Sequence, residues 1–74
     1  MGELATMGRQ GDTKLVWDPE EEAEVENARR TFTDLRKKGY LAFAVKARGE
    51  KGIQINDFDP DAAKIIMAPP MQGG

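Results

Sequence analysis

The sequence predicts an α+β domain in which one helix packs on one face of a mixed β-sheet. Three observations favour this class: an amphipathic helical segment, alternating strand-like segments on both sides of it, and an apolar segment near the end of the chain. The elements follow the order strand, strand, helix, strand, strand, strand. Residues 1–70 are expected to form a single domain, and residues 71–74 a flexible tail.

The helix is expected to begin near Pro19. Asp18 is a suitable N-cap, Pro19 fits the first helical position, and Glu21 fits the third position of a capping box. The basic run at residues 36–38, followed by Gly39, marks the other end. Apolar side chains recur at three- and four-residue steps and form one stripe that requires a sheet to pack on. They are Val25, Ala28, Phe32 and Leu35.

Five segments alternate or are apolar in the manner of strands. They are residues 3–7, 13–17, 40–48, 53–55 and 63–68. Glycine-containing turns at 8–12 and 49–52 predict two hairpins. Asp59, Pro60 and Asp61 resemble the start of the helix and predict a helical turn over residues 62–63.

Composition excludes several classes of function. The 74 residues include no cysteine and no histidine, so the chain lacks a thiolate nucleophile, the usual general base and the commonest zinc ligands. We therefore expect no catalytic residues and no metal site. Eleven basic residues against 13 acidic ones give a net charge of −2, so binding of nucleic acid is not expected. No segment resembles a membrane span or a signal peptide, which favours a cytoplasmic protein.

The chain ends in two glycines that follow a stiff segment. Because Gly73 and Gly74 have no Cβ, such a tail can enter a narrow channel and present its carboxylate to an enzyme. Pro69 and Pro70 fix the backbone and remove two amide donors, so the last strand stops there and the prolines present the tail. A frayed end without function is the alternative, since terminal residues are often disordered.

The element order and the ending Pro-Pro-Met-Gln-Gly-Gly at 69–74 resemble ubiquitin-like β-grasp proteins. The ending is most similar to the sulfur-carrier branch, whose molybdopterin-synthase small subunits end in a strand, two prolines, two variable residues and Gly-Gly. The resemblance implies a ββαβββ β-grasp fold. In that fold the last strand pairs parallel with the first strand and antiparallel with the strand at 40–48.

The resemblance also implies the chemistry common to that family, in which partner enzymes supply the ATP site and the catalytic groups. An adenylating enzyme would use ATP to activate the carboxylate of Gly74. The activated chain would then modify an acceptor protein, or carry sulfur to a sulfur-accepting enzyme. This chain would bind no cofactor and would not itself be an enzyme, which agrees with its lack of histidine and cysteine.

The sheet face opposite the helix is a candidate docking surface, as it is in ubiquitin-like proteins. Alternation assigns the two alanines of the strand at 40–48 to this face, beside Ile66. The predicted partner-binding residues are Tyr40, Ala42, Ala44, Ile66, Ala68 and Met71. In the alternative, Ile66 is a core residue and the alanines allow close packing, because a one-residue register shift exchanges the faces.

Two other patterns have simpler interpretations. Asp57, Asp59 and Asp61 have the spacing of a calcium loop, but alanines occupy positions six and twelve, where such a loop needs glycine and glutamate. These aspartates are interpreted as turn and cap residues. The basic residues of the helix are balanced by its glutamates and are interpreted as a solvated face.

A second class of function remains open at this stage. The chain would then be a small β-grasp interaction or accessory protein, such as one encoded by a phage or mobile element, with an inert tail. Modification of Gly74 in the host distinguishes the two.

Overall fold

The computed structural model describes residues 1–8, 12–46 and 51–70. One helix packs on a mixed five-stranded sheet, which confirms the predicted α+β class and element order. The elements are β1 (Gly2–Thr6), β2 (Thr13–Trp17), α1 (Glu22–Lys37), β3 (Leu41–Val45), β4 (Ile53–Ile55) and β5 (Lys64–Ala68). The predicted bounds of β2 and β4 are confirmed, whereas parts of both predicted turns lie outside the described residues.

The sheet has the strand order β2-β1-β5-β3-β4, so β5 is its central strand. β5 pairs parallel with β1 and antiparallel with β3, as expected. The two flanking pairs, β1 with β2 and β3 with β4, are antiparallel. Because β5 is hydrogen-bonded on both sides, the chain that follows Ala68 leaves from the middle of the sheet.

The helix begins later than predicted. Pro19 and Glu20 form a turn, and the N-cap residue is Glu21, without a side-chain cap. The carboxylate of Asp18 accepts the amide of Glu20 at 2.9 Å, and its carbonyl accepts the amide of Glu21 at 2.9 Å. Asp18 therefore stabilises the turn before the helix instead of capping the helix.

The other end of α1 is as expected. Gly39 has a φ of +96°, and its amide donates to the carbonyl of Arg36 at 3.0 Å. The amide of Tyr40 donates to the carbonyl of Leu35 at 3.1 Å, so the last turn is closed by a glycine in the left-handed region. α1 is too short and too polar to cross a membrane.

The core lies between α1 and the sheet and is organised around Trp17, which is fully buried. Its indole Nε1 donates to the carbonyl of Pro60 at 3.1 Å, and its ring lies 5.0 Å from that of Phe58. The indole packs directly on Gly2 and occupies the space that a Cβ on this residue would need. The buried core residues are Leu4, Trp17, Ala28, Phe32, Ala42, Ala44, Ala62, Ile65 and Met67.

The loop between β4 and β5 differs from the prediction. The turn lies at Pro60 and Asp61, and residues 62–63 are not helical. The amide of Asp61 donates to Asp59 Oδ1 at 3.0 Å, and the amide of Ala62 donates to the Asp59 carbonyl at 3.2 Å. The aspartate thus forms a local turn, and the chain enters β5 immediately afterwards.

Candidate functional site

The first part of the candidate site is the end of β5. Pro69 and Pro70 follow Ala68 directly and are both exposed. A methyl group at Gly39 would lie 3.5 Å from Cβ and 3.6 Å from Cγ of Pro70. The second proline therefore lies next to the turn that ends α1, with room for a methyl group between them.

The remainder of the predicted tail lies outside the described residues. This applies to Met71, predicted to extend the docking surface, and to Gly73 and Gly74, predicted to carry the chemistry. Their roles stay predictions.

The second part is the sheet face opposite α1, called the open face below. Strand register pairs Phe43 with Ile66 and Leu41 with Ala68. Directly paired residues of neighbouring strands point to the same side, so these four side chains share one face. The apolar residues of the open face are Ala5, Val16, Leu41, Phe43, Val45, Ile66 and Ala68.

Exposure varies across the open face. Val16 is 49% exposed and Leu41 is 42% exposed, whereas Phe43 and Ile66 are half-buried by their neighbours. An exposed apolar surface that spans neighbouring strands is typical of a protein interaction site. Ile66 and Ala68 are on this face, as predicted.

Three of the predicted partner-binding residues are elsewhere. Ala42 is completely buried, Ala44 is 2% exposed, and Tyr40 packs against the core. The prediction that the two alanines lie on the open face, with Tyr40 extending the patch, is therefore wrong. The reason is the strand register: Ala42 pairs with Met67 and Ala44 with Ile65, which both face the helix.

Sequence reasoning missed the large side chains of β3. Leu41, Phe43 and Val45 alternate with the alanines along β3 and therefore lie on the open face. Large side chains usually point to the core, but here Trp17 and Phe32 already fill it and alanines suffice beneath the helix. The sequence does contain one indication of this face: Gln54 is polar and pairs with Phe43, so the face that they share is the one turned to solvent.

Charged residues border the open face at β1 and β2. Glu3 lies 3.4 Å from Lys14 Nζ and 3.6 Å from Lys64 Nζ. In the sheet register, Glu3 of β1 pairs with Val16 of β2 and with Lys64 of β5. The ion pairs therefore connect these three strands on the open face. Exposed pairs of this kind add little stability, but they give the apolar surface a polar border.

Asp59 of the β4–β5 loop makes structural contacts. Asp59 pairs with Lys46 at 2.5 Å, which connects the loop to the end of β3. The hydrogen bond from Lys46 lowers the pKa of Asp59, and the same hydrogen bond raises the pKa of Lys46. Across the described parts of the chain, no cluster of acidic side chains is arranged to hold a metal ion.

Comparison of the chain with family models, curated proteins and solved structures gives no match. The candidate site consists of two prolines that leave the central strand β5 and of the exposed apolar face beside that strand.

Proposed function

We propose that this chain is a ubiquitin-like β-grasp protein whose Gly74 carboxylate is activated by an adenylating partner enzyme. It would act as a protein modifier or as a sulfur carrier. The observation that carries the proposal is the exit of Pro69 and Pro70 from the central strand β5, beside the open face. The strand order and the parallel pairing of β1 with β5 support the β-grasp assignment.

The chemistry proposed for Gly74 needs nothing from this chain except a carboxylate that can reach an active site. In the partner enzyme, a carboxylate oxygen attacks the α-phosphorus of ATP and pyrophosphate leaves, which gives an acyl adenylate. For conjugation, an enzyme thiol displaces AMP to give a thioester, and a lysine amine of the acceptor then displaces that thiol. For sulfur carriage, a sulfur donor displaces AMP instead. With a persulfide as the sulfur donor, a reducing thiol releases the thiocarboxylate.

The proposed role of the open face is to hold the partner while the tail is in its active site. Leu41 and Ala68 lie at the end of the sheet from which the tail departs, because Ala68 immediately precedes Pro69. A partner that contacts these side chains would therefore be close to the tail. Pro69 and Pro70 limit the freedom of the intervening chain and so reduce the entropy lost on binding.

Hydroxylamine trapping tests the proposal in an extract of the host. Hydroxylamine attacks adenylates and thioesters, so an activated Gly74 is converted to a hydroxamate that is found in the C-terminal peptide by mass spectrometry. The hydroxamate is expected only when ATP is present. The mass of the same peptide reports directly whether Gly74 is the terminal residue of the mature protein.

Two variants make the test specific. Deletion of residues 73–74 should abolish trapping, whereas Gln72→Ala keeps the diglycine and should preserve it. Absence of an ATP-dependent hydroxamate on a protein that still binds host partners through the open face would refute activation. That result would favour the alternative of an accessory protein with an inert tail.

A further inference from the structure

A second candidate site lies on the helix side of the molecule, away from the open face. A cleft of about 290 Å³ separates the second half of α1 from the loop that follows β4. Arg29, Thr33 and Arg36 form the helix wall, and Asn56, Asp57 and Phe58 form the loop wall. None of these residues takes part in the proposed activation of the tail.

The floor of the cleft is rigid and apolar. Phe32 is 2% exposed, and its ring meets that of Phe58 edge to face at 5.9 Å. Phe58 in turn packs on Trp17 in the core. A ligand in the cleft would therefore rest on a surface that already has its bound shape.

Arg36 is held in place before any ligand arrives. Its Nη1 donates to the carbonyl of Tyr40 at 2.6 Å, and its Nη2 donates to Asn56 Oδ1 at 3.3 Å. These bonds fix the guanidinium plane at one end of the cleft. A guanidinium has five donors, so further donors are available for an anionic group.

Arg29 provides a second positive charge at the other end of the helix wall. Its Nη1 pairs with Glu26 at 3.0 Å, and both side chains are at least half exposed. An exposed pair of this kind is weak, so Arg29 can exchange Glu26 for a ligand carboxylate at little cost. With Asp57 as the one carboxylate that lines the cleft, the lining has a net positive charge.

The spacing of the two arginines restricts the ligand. They are seven residues apart on α1, which corresponds to about 10 Å along the helix axis. One phosphate is too small to contact both. A polyproline-type peptide with acidic residues three positions apart places two carboxylates on one side, about 9 Å from each other.

The neighbouring surface sets the limit of the acidic segment. Beyond Arg29, the charged residues that line an adjoining cleft of about 310 Å³ are Arg29 itself and three acidic residues, Glu22, Glu26 and Asp61. Negative charge on a ligand would be repelled there, so the peptide residue that extends beyond the carboxylate on Arg29 should be neutral or basic.

We propose that the cleft between α1 and the β4–β5 loop binds an acidic peptide segment of a partner protein, with one carboxylate on Arg29 and another on Arg36. The probe is a short fluorescent peptide in which two prolines separate two glutamates. Fluorescence polarisation at low salt measures its affinity, and the matched control peptide carries glutamines in place of the glutamates.

Two helix variants test the site. Thr33→Glu adds a carboxylate between the arginines at an exposed position where glutamate is a better helix former, so the fold is retained. We expect it to weaken peptide binding about tenfold through repulsion. Arg29→Gln should weaken binding as well, whereas Arg30→Gln removes the same charge from a residue outside the cleft and should have little effect.

Equal affinity of the wild-type protein and Thr33→Glu would overturn the proposal, as would equal binding of the glutamine peptide. A single-stranded oligonucleotide that binds more tightly than the peptide and responds to the same variants is a further outcome of the test. That result would overturn the proposal and identify nucleic acid as the ligand. Deletion of residues 73–74 should leave peptide affinity unchanged, so this test is independent of tail activation.

Discussion

Gly39 lies next to Pro70, so the end of α1 adjoins the residue that precedes the predicted tail. The space beside the proline would accept a methyl group at ordinary contact distance, 3.5 Å from Pro70 Cβ. The need for glycine comes instead from the backbone, because φ at Gly39 is +96°.

Substitution of Gly39 should therefore reveal backbone strain. Gly39→Ala is expected to lower the free energy of unfolding by about 1–2 kcal/mol, the cost of a left-handed alanine. The free energy of unfolding of Gly39→Asn should lie between those of the wild type and Gly39→Ala, because asparagine tolerates the left-handed region better than alanine does. Urea denaturation measures the free energy of unfolding of all three proteins. Equal stability of the wild type and Gly39→Ala would contradict the assigned helix end.

Gly2 and Trp17 should be strongly coupled. A Cβ at residue 2 would overlap the six-membered ring of the indole, so Gly2→Ala should cost about 1–3 kcal/mol, as overpacking does. Trp17→Phe removes the overlapping ring atoms and also the hydrogen bond to Pro60. In a double-mutant cycle, Gly2→Ala should cost clearly less in the Trp17→Phe background, and additive effects would argue against the observed packing.

The Lys46–Asp59 pair predicts a specific dependence of stability on pH. The lowered pKa of Asp59 stabilises the fold above the unfolded pKa, and this stabilisation is lost as the pH falls through the folded value. The raised pKa of Lys46 stabilises the fold at pH values below the unfolded pKa. This stabilisation is lost as the pH rises through the pKa of the folded protein.

The difference in melting temperature between wild type and Lys46→Met should thus be constant near neutral pH. This difference should become smaller below about pH 4 and also above about pH 10. Lys51→Met, at an exposed position, is the control for loss of a lysine charge. A difference that stayed the same through acid pH would exclude a contribution from Asp59.

The face assignment of β3 can be tested in the core. Ala42→Leu adds three carbons to a completely buried position and is expected to cost about 1–3 kcal/mol. Leu41→Thr replaces a 42% exposed residue on the other face with a good strand former and should have a smaller effect on stability. If Ala42→Leu were neutral, the alanines would face solvent after all.

These two residues also show how far the sequence could predict the structure. The helix, the five strands and their order follow from periodicity and end signals, and the pairing of β5 with β1 and β3 followed from the resemblance. The face of β3 did not follow, because both sets of its alternating side chains are apolar and differ only in size. Which set meets the helix depends on the volume that Trp17 and Phe32 already occupy, and periodicity does not contain that information.

The candidate cleft could not be predicted from the sequence either. Arg29 and Arg36 were interpreted with other basic residues as a solvated face, a pattern that alone gives no cleft. Their significance depends on Asn56 and Phe58, which the fold brings to the same place from a distant segment. By contrast, the capping role of Gly39 was predictable because it needs only local backbone geometry.

The open face should contribute to activation of the tail. Leu41→Asp is expected to reduce the rate of ATP-dependent hydroxamate formation about tenfold or more, because a charge replaces a contact in the docking surface. Ile53→Asp is the matched control, since Ile53 is 64% exposed but points to the helix side of the edge strand β4. Equal rates for both variants would show that the partner does not use the open face.

The most direct test of the central claim is the intact mass of the native protein isolated from its host. Activation predicts a population that is heavier by the difference between one sulfur and one oxygen atom, or one joined through Gly74 to a lysine of another protein. Native protein with only a free Gly74 carboxylate and no conjugates, whose function survives deletion of residues 73–74, would contradict it.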